Sequence, residues 1–424
     1  MTNELPSGWQ MARLGDLGTE VRGQISPESG TTYDLYSVPA FATGQPEQFD
    51  GESIRSGKRP VEEHDVLLCK INPRINRVWV VGPSHGLPQI ASMEYLVLRP
   101  HEPRMAAYLR YYLSAPRFRD WIRLAVEGAT GSHTRAKSGP ILEQLVPVPS
   151  LAEQQRIVAA IDQHFSRLDA IESTVERGLR AIAALRMSLL TAAVKVDRTL
   201  PRHWQRKEIS EVADVQLGRQ RSPQHHAGPQ MRPYLRAANV TWAGLSLDDV
   251  KQMNFDEGEF ETYRLHPGDL LLNEASGSPN EVGKPGVWRG EIEDCCFQNT
   301  LLRLRAREID PDYLYWYCYM AASTGRFGEA GRGVNIRHLG KQGLARFPIA
   351  VAPRAEQGDI VIRLQERFQQ SRECETSVRR ALDLARALRR SILAKAFGGR
   401  LVPRNPGDEA GSDLMESRHA SAAV

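Results

Sequence analysis

The sequence predicts an α/β protein: two mixed α/β domains joined by two long helices forming an antiparallel coiled coil, with a pseudo-two-fold internal repeat. Three observations predict this. Leu5-Pro6-Ser7-Gly8-Trp9-Gln10 returns as Leu200-Pro201-Arg202-His203-Trp204-Gln205, and the two tryptophans lie 195 residues apart. Ala152-Glu153-Gln154 returns as Ala355-Glu356-Gln357, and Leu185-Arg186-Met187-Ser188 as Leu388-Arg389-Arg390-Ser391, both at an offset of 203. Each copy of the globular part is followed by a seven-residue apolar repeat. A unit this long is a whole module, because solenoid repeats run roughly 20–50 residues.

The 424 residues suffice for two to four domains. At 41% hydrophobic and 25% charged, the composition is that of a globular chain. A net charge of +4 permits nucleic-acid binding without requiring it, since local patches decide that. The five cysteines form no Cys-x-x-Cys pair, which argues against a disulfide framework or a zinc site and for a reducing compartment. There is no apolar run of ~18 residues to span a membrane, and the first residues lack a signal-peptide core. The expectation is a cytoplasmic protein with no membrane partner.

Residues 1–150 read as the first domain. Val66 to Cys69, Val78 to Val81 and Tyr95 to Leu98 are β-rich runs bounded by Pro, Gly and Asn. Met105 to Leu113 and Phe118 to Val126 are helical in pattern, split at Pro116. Leu145 to Pro149 is held extended by its prolines. Ser150-Leu151-Ala152-Glu153 is a capping box opening the first long helix, residues 151–197. Its seam is Ile161, Leu168, Val175, Ile182 and Leu189, with companions three residues later that include Ile171 and Leu185. Such a seam marks a helix made to lie along another long helix, and residues 151–194 would reach about 66 Å at 1.5 Å per residue. The apolar flanks Leu179, Leu190 and Phe397 are expected to be surface kept for partners.

Residues 198–353 repeat the plan, with strands at Leu270 to Leu272, Val287-Trp288 and Leu301 to Leu304, and a helix at Tyr313 to Met320. The second long helix, residues 354–400, carries the seam Leu364, Val378 and Ile392 with Leu388 as a companion, and Gly398-Gly399 stops it. Residues 401–424 are a Pro-, Gly- and Ser-rich tail expected to be flexible.

Enzyme motifs fail on inspection. Gly277 to Pro285 has the wrong spacing for a phosphate loop and a proline in place of its Ser/Thr. Asn72-Pro73 lacks the following Pro-aromatic pair of amino-methyltransferases, and the histidines show no metal-ligand spacing. What remains is polar loops on a shared scaffold. In the first domain these offer Arg22 and Gln24 beside Gly23, then Lys70, Asn72, Arg74, Asn76 and Arg77, then Ser132, Thr134, Arg135 and Lys137. In the second they offer Arg219 and Arg221, then Asn273, Glu274, Ser276 and Asn280, then Arg332, Asn335 and Arg337. Arg and Lys pair with guanine or phosphate and Asn with adenine, so these are candidate DNA contacts. Taken singly, each is equally a solvated loop residue. The scaffold repeats while the loops differ, as in two readers of different sequences.

These features resemble the specificity subunit of a Type I restriction-modification system. The resemblance covers residues 1–400. It rests on the Pro-x-x-Trp openings, Asp65-Val66-Leu67-Leu68 with Lys70 to Arg74, Gly268-Asp269-Leu270-Leu271-Leu272-Asn273-Glu274, the exit Pro147-Val148-Pro149, and Glu153-Gln154-Gln155-Arg156-Ile157-Val158. The second copy departs from it: Pro353-Arg354 lacks the serine cap, and Gly358-Asp359 replaces Gln155-Arg156, so a looser helix start is expected there. The resemblance implies two target-recognition domains that each read half of a split double-stranded DNA site, spaced by the coiled coil. It implies a non-catalytic chain without a cofactor or metal of its own. It further implies docking of two methyltransferase subunits and of restriction subunits, which would use S-adenosylmethionine, ATP and magnesium. The residues by themselves leave open a coiled-coil adaptor joining two protein-binding domains, a specificity subunit of a Type II-like enzyme, or an enzyme whose motif is unrecognised.

Overall fold

The computed structural model describes residues 5–125, 134–194, 200–222, 227–276, 281–330 and 337–405. The chain divides into two compact units, and the boundaries fall inside both long helices. One unit comprises Met1–Val175 with Arg379–Val424, and the other Glu176–Val378.

In the first unit Gln10–Arg13 pairs antiparallel with Leu145–Val148, so the proline-held exit is a strand whose partner opens the chain. A four-stranded antiparallel sheet follows the order Gly18–Glu20, Tyr95–Pro100, Val66–Cys69, Val78–Val80. A second sheet orders Glu47–Asp50, Thr32–Tyr36, Gln89–Ser92 and Lys58–Pro60, with its middle pair parallel. Ala106–Ser114 and Pro116–Leu124 are the helices, and Pro116 starts the second, where its missing N–H costs nothing.

The second unit repeats this plan. Gln205–Glu208 pairs with Pro348–Val351. A four-stranded sheet orders Ala213–Leu217, Leu301–Ala306, Leu270–Asn273 and Pro285–Val287, and a three-stranded one orders Lys251–Asn254, Met231–Leu235 and Cys296–Phe297. Pro311–Ser323 is the aromatic helix.

The repeat extends to single hydrogen bonds. The Tyr108 and Tyr112 hydroxyls donate to the Pro147 and Leu145 carbonyls at 2.6 and 2.7 Å. The Tyr313 and Tyr317 hydroxyls do the same to Ala350 and Pro348 at 2.8 and 2.9 Å. Buried Gln154 donates to the Pro149 carbonyl, and buried Gln357 to that of Ala352. Asp65, with no exposed surface, receives two hydrogen bonds from Arg99, and Asp269 receives two from Arg305.

The first long helix is Leu151–Val194 and the second Arg354–Ala396. The Glu153 N–H donates to Ser150 Oγ, the serine half of the expected capping box. The second helix starts cleanly at Arg354 despite its missing serine. Glu356 N–H donates to the Pro353 carbonyl, and the Glu356 carboxylate accepts from Trp204 Nε1. Gly399, at φ 63°, ends it in the left-handed region.

Each unit's core takes the start of one long helix and the end of the other. Ile157 and Ile161 share a core with Trp9, Tyr108, Leu393 and Ala396. Leu190 and Val194 share one with Trp204, Tyr313, Leu364 and Phe368. Within each unit the two helix segments therefore run antiparallel.

The seam corrects the expectation in one respect. Ile161, Leu168, Val175 and Leu364 are buried, and Ile182, Leu189, Val378 and Ile392 are half-buried. Ile171, Leu185 and Leu388 face solvent, at 45%, 54% and 44% exposure. The companion stripe lies four residues on, not three: Phe165, Glu172, Leu179 and Arg186, and at offset 203 Phe368, Glu375, Leu382 and Arg389. Both spacings suit a 3.6-residue turn, and charged residues fill half of the true stripe, which hid it. Leu190 and Phe397 are likewise core: Leu190 is 1% exposed, and Phe397 packs edge-on against Tyr108 and Tyr112.

Candidate nucleic-acid interface

The two polar clusters expected in each unit are brought together by a short antiparallel contact. In the first unit Ile71 bridges Arg135. Asn72 N–H donates to the Thr134 carbonyl, and Ala136 N–H to that of Lys70, both at 2.9 Å. In the second unit Ala275–Ser276 pairs with Arg337–His338, and Leu339 N–H donates to the Glu274 carbonyl. Sequence reading identified both loops in each unit but not that they touch. The signal was the common offset, which carries 71 and 135 to within a residue of 275 and 338.

Asn72 and Asn76 hold φ of 47° and 51° around the short 3₁₀ turn Pro73–Ile75, a conformation that asparagine tolerates better than most residues. Asn76 Nδ2 donates to the Leu113 carbonyl, so that amide is occupied by the fold. Lys70 is half-buried, and burial with Arg59 and Arg135 nearby holds its ammonium below the usual lysine range. Burial pushes the Cys69 thiol up, with Arg77 nearby partly offsetting it. Arg135 pairs with Glu94 and stays largely exposed, as does Lys137. Arg22 is exposed and pairs with Glu20, while exposed Gln24 lies over Gly57. Arg74 points into a cleft shared with the second long helix.

In the second unit two candidates belong to the interior. Arg219 is 4% exposed, bonded to Glu259 and stacked over Phe255, because Gly218 lets the chain pass against the Gln298 backbone. Asn273 is 6% exposed at the end of its strand. Neither offers its side chain to a groove. Glu274 holds His338 at 3.0 Å, and Arg221 is exposed. Ser276 and Arg337 are placed in their paired strands by backbone alone. Ser132, Asn280, Arg332 and Asn335 lie outside the described residues.

Among the described residues no group of His, Cys, Asp and Glu could hold a metal ion, and no helix is long and apolar enough to cross a membrane. Burial pushes the Cys295 and Cys296 thiols up to about 12, far from nucleophilic use. The arrangement offers two sets of bridged polar loops on twin scaffolds.

Two solved structures share this architecture. The crystal structure of the HsdS subunit from Thermoanaerobacter tengcongensis superposes with TM-score 0.56 and 21% identity, covering 94% of this chain and 98% of that one. A chain from a study of complex assembly and conformational transition of the type I R-M system gives TM-score 0.77 and 21% identity, covering 94% and 99%. No protein-family model matches. Among curated proteins, the Type I restriction enzyme EcoKI specificity subunit of Escherichia coli (strain K12) is 23% identical over 448 residues, covering 99% of this chain and 95% of its own length. The StySPI specificity subunit of Salmonella potsdam is 24% identical over 453 residues, with the same coverage. Over nearly its whole length the chain is thus similar to specificity subunits of Type I restriction enzymes.

Proposed function

We propose that this chain is the non-catalytic DNA sequence-specificity subunit of a restriction-modification complex, in which each unit reads one half of a split duplex site. The observation that carries this is the repeat of bridged loops. The scaffold bonds of Tyr108, Gln154 and Asp65 recur as those of Tyr313, Gln357 and Asp269, while the bridged loops share almost no side chains. Lys70, Asn72 and Arg135 stand where the second unit has Glu274, Ser276 and His338 nearby. Common frames with different loops suit two different half-sites.

In this reading the chain binds two adenine-methyltransferase subunits and restriction subunits, and those partners hold S-adenosylmethionine, ATP and magnesium. The chain itself only selects the site.

The test is selection of random-sequence duplexes by the chain with its methyltransferase partner, followed by methylation mapping. The expected product is a site in two parts separated by unspecified bases. Asn72→Ala should relax one part only, at a cost of about 1–3 kcal/mol for a lost base contact. A single contiguous site, or equal loss in both parts, rejects two independent readers.

A further inference from the structure

The first unit carries an open cleft of about 540 Å³. Its walls are the Pro73–Ile75 turn, the Pro116–Leu124 helix and residues 386–393 of the second long helix, with Phe165 of the first long helix also lining it. Six arginines line it: Arg74, Arg119, Arg123, Arg386, Arg389 and Arg390. Asp120 is the single carboxylate among the described lining residues.

Three of the six are accounted for by neighbours. Arg389 binds Asp169 and Glu172, Arg386 lies 3.8 Å from Asp383, and Arg123 lies 4.0 Å from Asp120. Arg74, Arg119 and Arg390 are exposed and have no carboxylate within ion-pair distance among the described residues. Guanidinium groups gathered around one cleft repel one another, and an anion relieves that. Their planar donors match phosphate oxygens in pairs.

The internal repeat separates what the fold needs from what it does not. At offset 203, Arg389 corresponds to Arg186, which makes the same cross-helix ion pair in its own unit. Arg386 and Arg390 correspond to Ala183 and Met187. The same scaffold thus folds with alanine and methionine at these two positions, so their charge serves something other than packing.

We infer that this cleft holds the sugar-phosphate backbone of duplex DNA flanking the half-site read by the first unit. The inference rests on the proposed function. Continuity favours DNA over an acidic segment of a partner protein: Arg74 belongs to the turn that begins at Asn72, whose N–H is bonded to Thr134 in the bridged loops. The contact would fix position and carry no sequence information.

The test uses the full chain and its selected duplex, titrated between 50 and 200 mM salt. The variant is Arg386→Ala with Arg390→Met, which copies residues the repeat already tolerates. A second variant, Arg119→Ala, removes an unpaired arginine on the opposite wall. Each phosphate contact contributes ~0.9 to the slope of log K against log salt. The double variant should lose about 1–2 from that slope, making affinity up to about tenfold less sensitive to salt over this range. Its thermal midpoint and preferred sequence should stay unchanged. An unchanged slope in both variants overturns the inference. So does an unchanged slope with weakened methyltransferase binding, which assigns the cleft to a protein partner. If the wild-type chain shows no preference for a two-part duplex, the functional reading fails first and takes the cleft with it.

Discussion

Arg186 and Arg389 are one residue of the repeat written twice, and each spans a helix pair to the same partner. Arg186 Nη1 lies 2.7 Å from Glu375, and Arg389 Nε lies 3.2 Å from Glu172. Glu172 and Glu375 are themselves separated by 203 positions. Both pairs occupy the half-buried stripe of the seam, where solvent screens them only in part, and Arg186 adds a bond to Ser371.

A double-mutant cycle on Arg186→Ala and Glu375→Ala should give a coupling of about 1 kcal/mol by urea denaturation, near the upper end for ion pairs that keep some solvent access. Additive single effects would show that the pair contributes nothing.

The position of the seam makes a contrast. Leu168→Ala should cost about 2–5 kcal/mol, as for a buried leucine leaving a cavity. Ile171→Gln, Leu185→Gln and Leu388→Gln should each stay within about 0.5 kcal/mol of wild type, as solvent-facing substitutions do. A large loss of denaturation midpoint at Leu185 would return it to the seam.

Buried aspartates make another. Arg99→Ala leaves Asp65 buried without its partner and should destabilise the first unit by about 3 kcal/mol or more. Arg135→Ala opens an exposed pair and should cost under about 1 kcal/mol while weakening DNA binding. Calorimetry that found both changes equally mild would mean that Arg99 does not sustain Asp65.

Alkali should loosen the helix Ala106–Ser114. Burial, together with the hydrogen bond to Asp162, pushes the Tyr111 hydroxyl up to about 12. A group raised above its unfolded value contributes stability that is complete below the unfolded value, about 10 for tyrosine, and lost as pH rises through the folded one. Wild type should therefore lose stability between about pH 10 and 12. Tyr111→Phe should be less stable at neutral pH and show a shallower loss in that window. Identical alkaline profiles would remove Tyr111 as a contributor.

Much of this architecture was legible. Long apolar runs such as Leu270–Asn273 and Tyr95–Pro100 named themselves, because strands buried on both faces need no alternation. Short strands such as Gly18–Glu20 and Lys58–Pro60 carried no pattern, since pairing partners far along the chain create them. The candidate site was half legible. Loops with Asn72 and Arg135 could be named from composition, but their contact depends on tertiary closure. Arg219 misled because a guanidinium directly after a glycine reads as a loop residue, whereas Glu259 and Phe255 enclose it. The arginines of the cleft come from three segments, of which only the Arg74 loop stood out by its composition, and their convergence depends on tertiary closure.

The first unit is sewn from both sides of the second. Leu401 and Val402 pack on the core that holds Trp9, and Gly399 sits so close to Pro6 that an added Cβ would lie 2.2 Å from its ring. During synthesis the residues up to Val175 leave the ribosome without the strip that seals them. They must wait for the roughly two hundred residues of Glu176–Val378, about 10–40 s at 5–20 residues per second. The middle unit can close as soon as its own residues have emerged. The order of maturation is thus inverted with respect to the order of translation: what is made first is finished last.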